Sequence, residues 1–241
     1  MFEVIKIERK NKVKDDIEGV FKTFKALCHA VPFKPNNFLS PYPLFSGNYV
    51  MLEPGVAGMV EVTKENYQEI VEKQSSMALE MARKSKDPII SLLLCMSTPY
   101  YMQFLHFIQD EVSPKTLGEC LGHCWTEMEF PNQHSSDMLI KLFEKADKKS
   151  LMSDDEYEAF QSLPETVMIY RGLQSKKAKV RALSWTLSLE KAQWFASRWK
   201  QKNKVVKVLV PKRKILAYFK GRGEEEIVIN PKRLTKIISV N

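Results

Sequence analysis

Cysteine is scarce in this sequence, and the few cysteines form no framework. The 241 residues include only Cys28, Cys95, Cys120 and Cys124. Small secreted domains that depend on disulfide bonds are much denser in cysteine. The first residues, MFEVIKIERKNK, also lack the apolar core of a signal peptide. We therefore expect free thiols and a reducing, cytoplasmic location, or delivery of the protein into the cytoplasm of a target cell.

Uninterrupted apolar runs of membrane-spanning length are also missing. The longest candidate, IISLLLCMSTPYYMQFLHFI, runs from Ile89 to Ile108, with Pro99 in its middle and polar residues on both sides of that proline. A bilayer span needs about 20 predominantly apolar residues. The pattern predicts two buried helices broken near Pro99, and no membrane partner.

Metal-ligand patterns are sparse as well. CLGHC places Cys120, His123 and Cys124 within one helical turn, but there is no second ligand pair at zinc-finger spacing. We expect ordinary buried thiols there and no bound metal. The other histidines have no nucleophile nearby in sequence, which gives no support to a Ser–His–Asp hydrolase.

The composition that is present is typical of a globular protein with a sizeable core, because 44% of the residues are hydrophobic and 27% are charged. The net charge is +8 and the sequence pI is about 9.2. That balance favours an acidic partner, such as nucleic acid, a phosphate-rich ligand or an acidic protein face. A basic surface that is simply solvated is the other interpretation.

Residues 1–163, the helical region, have the pattern of helices. Residues 16–30 look helical, and apolar residues recur at three- and four-residue steps in 67–81 and 138–146. Ser153 and Glu156 have the spacing of a capping box, in which each side chain satisfies a free backbone N–H at a helix start. That helix should stop at Pro164. The proline-rich stretch from 32 to 48 predicts a long ordered loop.

After Pro164 the pattern changes to short, β-branched strands. The predicted strands are TVMIYRG, RALSWTL, KVVKVLV, KILAYF, EEEIVIN and LTKIISV. One helix, Leu189 to Lys200, interrupts them, and its predicted buried face carries Ala192, Phe195, Ala196 and Trp199. The expected fold class is therefore α+β: the helical region packs on a mixed, mostly antiparallel β core. We call residues 164–241 the β region.

Three stretches of the β region have residues suited to chemistry. YRG places Arg171 at a strand end, where its planar fork matches phosphate oxygens, and Gly172 permits close approach of a ligand. SWT places Ser184 and Thr186 on one strand face, where small hydroxyls can fix a neighbouring carboxylate. Taken alone, YRG is also consistent with an ordinary surface arginine, and SWT with an edge strand that carries a packed tryptophan.

The third stretch is EEEIVI. Because side chains alternate along a strand, we expect Glu224 and Glu226 to point to one face and Glu225 to the other. Two carboxylates on one face can share a task, one stabilising a developing positive charge and the other orienting or deprotonating a nucleophile. A solvated strand edge is the alternative for this stretch alone.

In this order, YRG, SWT followed by LEKAQWFA, and EEEIVI resemble the Arg, Ser-x-Thr, Glu-x-Glu arrangement of the mono-ADP-ribosyltransferases. The resemblance covers residues 164–240 only. It implies a β core of the ADP-ribosyltransferase type that cleaves the nicotinamide–ribose bond of NAD and transfers ADP-ribose to a macromolecule. Some such proteins act as toxins or phage effectors. NAD would be a substrate, and no metal is implied.

The resemblance also implies a role for each residue. Arg171 would hold the NAD phosphate or its adjoining ribose, and the Gly172 backbone would bind the nicotinamide amide. Ser184 and Thr186 would brace the pocket and the catalytic carboxylate. Glu226 would stabilise the ribose cation, and Glu224 would handle the acceptor.

The acceptor implied by Glu224 is a protein side chain, with arginine favoured. The basic charge leaves nucleic acid open as an alternative acceptor. A non-catalytic module that binds NAD or a partner is the remaining alternative.

Overall fold

A computed structural model of the chain describes residues 14–34, 41–51, 58–128, 134–175, 178–198 and 204–240. Trp199 and part of the proline-rich loop, which figure in the sequence predictions, lie outside these residues. Among the described helices, none is both long and apolar enough to cross a membrane. The structure is mixed α+β, which confirms that part of the expected fold class.

Three of the seven described helices of the helical region, the first, fifth and seventh, begin at a capping side chain. Asp16 Oδ1 accepts a hydrogen bond from Gly19 N (3.0 Å) at the first helix, and Ser113 Oγ accepts one from Thr116 N (3.1 Å) at the fifth. The helices are α1 (Ile17–Ala30), α2 (Tyr67–Lys84), α3 (Pro88–Cys95), α4 (Tyr101–Ile108), α5 (Pro114–Glu127), α6 (Ser136–Lys145) and α7 (Asp154–Ser162).

Two local predictions for these helices are confirmed. The apolar run from Ile89 to Ile108 is broken between α3 and α4 by a short 3-10 turn at Thr98–Tyr100, since Pro99 cannot continue a helix. At the start of α7, Ser153 and Glu156 form the reciprocal bonds of a capping box.

The strands of the β region follow the predicted stretches; β3 and β5 are one residue longer than predicted, and the other four are shorter. They are β3 (Thr166–Leu173), β4 (Ser184–Thr186), β5 (Lys204–Pro211), β6 (Ile215–Phe219), β7 (Glu226–Ile229) and β8 (Ile238–Val240), with α8 (Leu189–Ser197) after β4. The sheet order is β6–β7–β4–β3–β5–β8. Every pairing within the described strands is antiparallel, where the sequence predicted a mixed, mostly antiparallel sheet. A two-stranded hairpin, β1 (Tyr49–Val50) with β2 (Val60–Glu61), was not predicted.

The buried side chains of the two regions form one continuous hydrophobic cluster, which runs from Val20 in α1 to Leu234 after β7. β6 is buried along its whole length, and α6 and α7 pack against it. A smaller cluster joins Ala192 and Ala196 of α8 to Val205 of β5. The helices and the sheet are therefore built on a shared core.

Gly172 allows α8 to lie directly on β3. A Cβ at this position would stand 2.2 Å from Ala192 O and 2.6 Å from Ala196 N, distances that real Cβ atoms do not show. Of the predicted buried face of α8, Ala192 and Ala196 are buried, while Phe195 is partly exposed. The close packing of this helix on the sheet depends on a residue without a side chain.

Candidate active site

Three neighbouring strands carry all the predicted site residues except Glu224. β4 lies between β3 and β7, and Thr186 is paired with Tyr170 on one side and with Glu226 on the other. Directly paired residues of an antiparallel ladder share a face, so these three side chains project from one side of the sheet. Ser184 is paired with Val228. Thr186, rather than Ser184, therefore stands opposite Glu226.

Thr186 ties the end of β4 to the turn that precedes Glu226. Its side chain is only 5% exposed. Its Oγ1 donates to Glu224 O at 2.6 Å and accepts a hydrogen bond from Ser188 N at 3.0 Å. Leu187 N adds a backbone bond to Glu225 O at 3.1 Å. The Thr186 hydroxyl and the Leu187 N–H thus fix the main chain at Glu224 and Glu225. We call these two residues the glutamate turn.

The three glutamates do not form one extended strand, so the predicted alternation of their side chains is wrong. β7 begins at Glu226. Glu224 has helical dihedrals (φ −89°, ψ −13°), and Glu225 has a positive φ of 46°. The chain turns here because the 3-10 segment Gly221–Gly223 precedes it and because Thr186 of β4 and Leu187 after it bond the carbonyls of Glu224 and Glu225. The rule that side chains alternate between the two faces of a strand therefore does not apply to Glu224 and Glu225.

Of the three glutamates, Glu226 is the one whose carboxylate contacts the helical region. It is partly buried, and its Oε2 accepts a hydrogen bond from Trp125 Nε1 at 3.1 Å. Trp125 lies on α5, in the helical region. The backbone of Glu226 is therefore held by the sheet, and its carboxylate is held by the helical region.

Arg171 lies at the junction of β3 and β4. Its Nη1 donates to Ser184 O at 2.5 Å, and its Nε donates to Lys179 O at 3.3 Å. Burial lowers the pKa of Arg171, and the negative charge of Glu226 acts in the opposite direction. Since arginine ordinarily titrates above pH 12, the guanidinium stays charged. It is a partly buried cation that organises the backbone leading into β4.

By alternation along β3, Arg171 projects from the face opposite to Tyr170 and Thr186. Its guanidinium reaches the β4 backbone from that side. The predicted residues are therefore close together but do not all project from one face.

A cleft of about 220 Å³ opens between α8 and the glutamate turn. Its walls combine two aromatic rings, two carboxylates and one ammonium, from Glu190, Lys191, Trp194, Phe195 and Glu224. Trp194 is 53% exposed. Pockets that enclose whole small molecules measure roughly 300–1,000 Å³, so this cleft suits a side chain or a single ring. Glu224 faces it.

The CLGHC segment has the properties of buried structural thiols. Burial raises the pKa of Cys120 to about 12 and also raises the pKa of Cys124. Metal coordination requires the thiolate. Within the part of the chain that the structure describes, there is no group of three or more His, Cys, Asp or Glu side chains that could hold a metal ion.

Comparison with other proteins adds no relative. No protein-family model matches the sequence, and neither the curated proteins nor the solved structures contain a match. The chemistry of the candidate site must be argued from its own residues.

Two features of the site were missed by the sequence analysis. One is Trp125, which lies far from Glu226 in sequence and whose surrounding residues look like an ordinary apolar helix face. The other is the polar and aromatic outer face of α8, where Glu190, Lys191 and Trp194 line the cleft. That face carries a sequence signal, because an exposed tryptophan flanked by charges is unusual on a helix that packs by its alanines.

Proposed function

We propose that this protein is an NAD-dependent mono-ADP-ribosyltransferase, with a β core of the ADP-ribosyltransferase type. The observation that carries the proposal is the direct pairing of Thr186 with Glu226 on neighbouring strands, with the Arg171 guanidinium bonded to the same strand, β4. These residues lie far apart in sequence, and they match the order of the motifs that the sequence shares with that family.

The charge distribution of the β region fits a dinucleotide substrate. Residues 164–241 contain 19 lysines and arginines against five aspartates and glutamates. Three of those five acids are the consecutive Glu224, Glu225 and Glu226. A basic surface attracts the pyrophosphate of NAD, and the few carboxylates are concentrated where a positive charge would develop.

In the proposed reaction, the bond between ribose C1′ and the nicotinamide nitrogen breaks, and its electron pair leaves with nicotinamide. The ribose becomes cation-like in the transition state. The Glu226 carboxylate stabilises that charge by preorganised electrostatics. An acceptor nucleophile then bonds to C1′ and loses its proton.

Glu224 would orient the acceptor because it faces the cleft beside α8. The cleft accommodates a side chain, and a protein acceptor, with arginine favoured, fits its two carboxylates and exposed Trp194. The acceptor would thus lie beside Glu224, and the ribose of NAD would lie beside Glu226.

A second candidate is a non-catalytic module that binds NAD or a partner. The observation in its favour is that Arg171 donates to Ser184 O and Lys179 O, which gives this arginine a structural role that needs no ligand. Modification of nucleic acid is the same chemistry with another acceptor, and the net charge of the β region is compatible with it.

The test is incubation of the purified protein with NAD labelled in its adenylate part and a cell lysate. We expect label in macromolecules, removed by protease and retained after nuclease treatment. Glu224→Gln should abolish or redirect this transfer, whereas Glu225→Gln is the matched control and should transfer normally. If nuclease treatment removes the label, the acceptor is nucleic acid. Absence of label, together with NAD binding by calorimetry, would favour the non-catalytic module.

A further inference from the structure

The bond between Trp125 and Glu226 joins the two regions of the chain at the candidate site. Trp125 Nε1 donates to Glu226 Oε2 at 3.1 Å. The indole is 3% exposed, and its ring meets the Phe143 ring edge-on, with centroids 4.9 Å apart and planes at 82°. Packing therefore fixes the direction of the donor N–H.

The helix that carries this indole is itself fixed in position. Gly122 lies against the turn before α7, where a Cβ would stand 2.2 Å from Leu151 O. At the other end of α5, Asp15 Oδ1 accepts a hydrogen bond from Ser113 N at 2.6 Å. Displacement of α5 toward the turn would cause a backbone clash, and displacement away from it would break the contacts at both ends.

Glu226 needs such support because strand pairing with Thr186 and Phe219 fixes its backbone but not its side chain. It is the first residue of β7 and follows Glu225, whose φ is positive. A glutamate side chain has several rotatable bonds, and a catalytic carboxylate must be held within about 0.5 Å of its productive position. An indole N–H donates and cannot accept. It therefore favours the ionised carboxylate over the protonated one.

We propose that Trp125 is a positioning residue for Glu226, so that the helical region completes the active site of the β region. This inference rests on the proposed function, because it assigns Trp125 a role in NAD cleavage. Trp125 acts through the carboxylate: it fixes the orientation of Glu226 and stabilises the ionised form that the ribose cation requires.

The first measurement is nicotinamide release by Trp125→Phe, which keeps an aromatic ring against Phe143 and removes the N–H. We expect kcat to fall about 10- to 100-fold, the effect of one hydrogen bond to a charged group, with little change in KM for NAD. The acidic limb of the pH–rate profile should move to higher pH, because the ionised carboxylate has lost a donor.

Tyr67→Phe is the matched control. It removes the bond from the Tyr67 hydroxyl to Val31 O (2.6 Å), which is also a bond of a buried aromatic donor in the helical region. It should leave kcat and the pH profile unchanged. If Trp125→Phe does not fold, 3-benzothienylalanine at position 125 replaces the N–H by sulfur and keeps the shape of the ring system.

The closing experiment is the double variant with Glu226→Gln. If Trp125 acts through Glu226, then Trp125→Phe has no further effect on the residual nicotinamide release in the Glu226→Gln background. An unchanged kcat and pH profile in Trp125→Phe, with active wild type, overturns the positioning role and leaves the proposed function standing. Equal losses in both backgrounds also overturn it, since the effect is then general. No nicotinamide release by the wild type refutes the proposed function, and the positioning role with it.

Discussion

Substitution of Gly172 by alanine tests the packing on which the site is built. An alanine Cβ would lie 2.2 Å from Ala192 O, 2.6 Å from Ala196 N and 3.0 Å from Phe195 Cβ. Two of these atoms belong to the α8 backbone and cannot rotate away, so the helix would have to retreat from β3 by about 1 Å.

Overpacking of this kind lowers the free energy of unfolding by about 1–3 kcal/mol. We expect a value at the upper end because the added Cβ would meet backbone atoms of α8. For a chain of this length, each kcal/mol lowers the melting temperature by about 2–4 °C. We therefore expect Gly172→Ala to melt roughly 5–10 °C below the wild type. Circular dichroism during thermal unfolding measures this directly.

Gly221→Ala is the control for that measurement. The nearest heavy atom to its added Cβ would be Thr126 Cγ2 at 3.7 Å, an ordinary contact. Its melting temperature should stay close to that of the wild type. A Gly172→Ala protein that melts with the wild type would show that α8 does not pack on β3 as described.

The remaining predictions concern ligand binding, the shared core and the thiols. NAD should raise the melting temperature of the wild type by mass action. Arg171→Ala should abolish this rise. Arg171→Lys should restore it only in part, because an ammonium lacks the planar fork of a guanidinium. A fragment that starts at Ser153 should be insoluble, since one core spans both regions; a soluble fragment with a cooperative melt would contradict this. Burial raises the pKa of Cys28 and Cys120 to about 12, so about one thiol in 10⁴ is ionised at pH 8. Iodoacetamide should therefore modify the more exposed Cys95 first in the native protein, with rates that rise with pH, and mass spectrometry of peptides identifies the site.

The elements that could be predicted from the sequence are those determined by nearby residues. The capping box at Ser153, the break at Pro99 and the strand stretches after Pro164 each depend on local rules. The order of the three motifs also placed Arg171, Thr186 and Glu226 on strands, and the sheet brings those strands side by side.

The glutamate turn could not be predicted because its cause is not local. EEEIVI reads as a strand, but hydrogen bonds from Thr186, at the end of β4, and from Leu187, the residue after it, hold Glu224 and Glu225 in a turn. A positive φ at Glu225 has no sequence signal, since glutamate is not a residue that favours it. The bond from Trp125 to Glu226 likewise depends on how α5 docks on the sheet.

Nicotinamide release from NAD by the purified protein is the most direct test of a catalytic Glu226. The wild type should release nicotinamide faster than the spontaneous rate, even with water as the only acceptor. Glu226→Gln keeps size and hydrogen bonding but removes the negative charge, so its rate should fall about 10²- to 10³-fold. Glu225→Gln should match the wild type. A wild type at the spontaneous rate, or a Glu226→Gln variant as active as the wild type, would contradict the account.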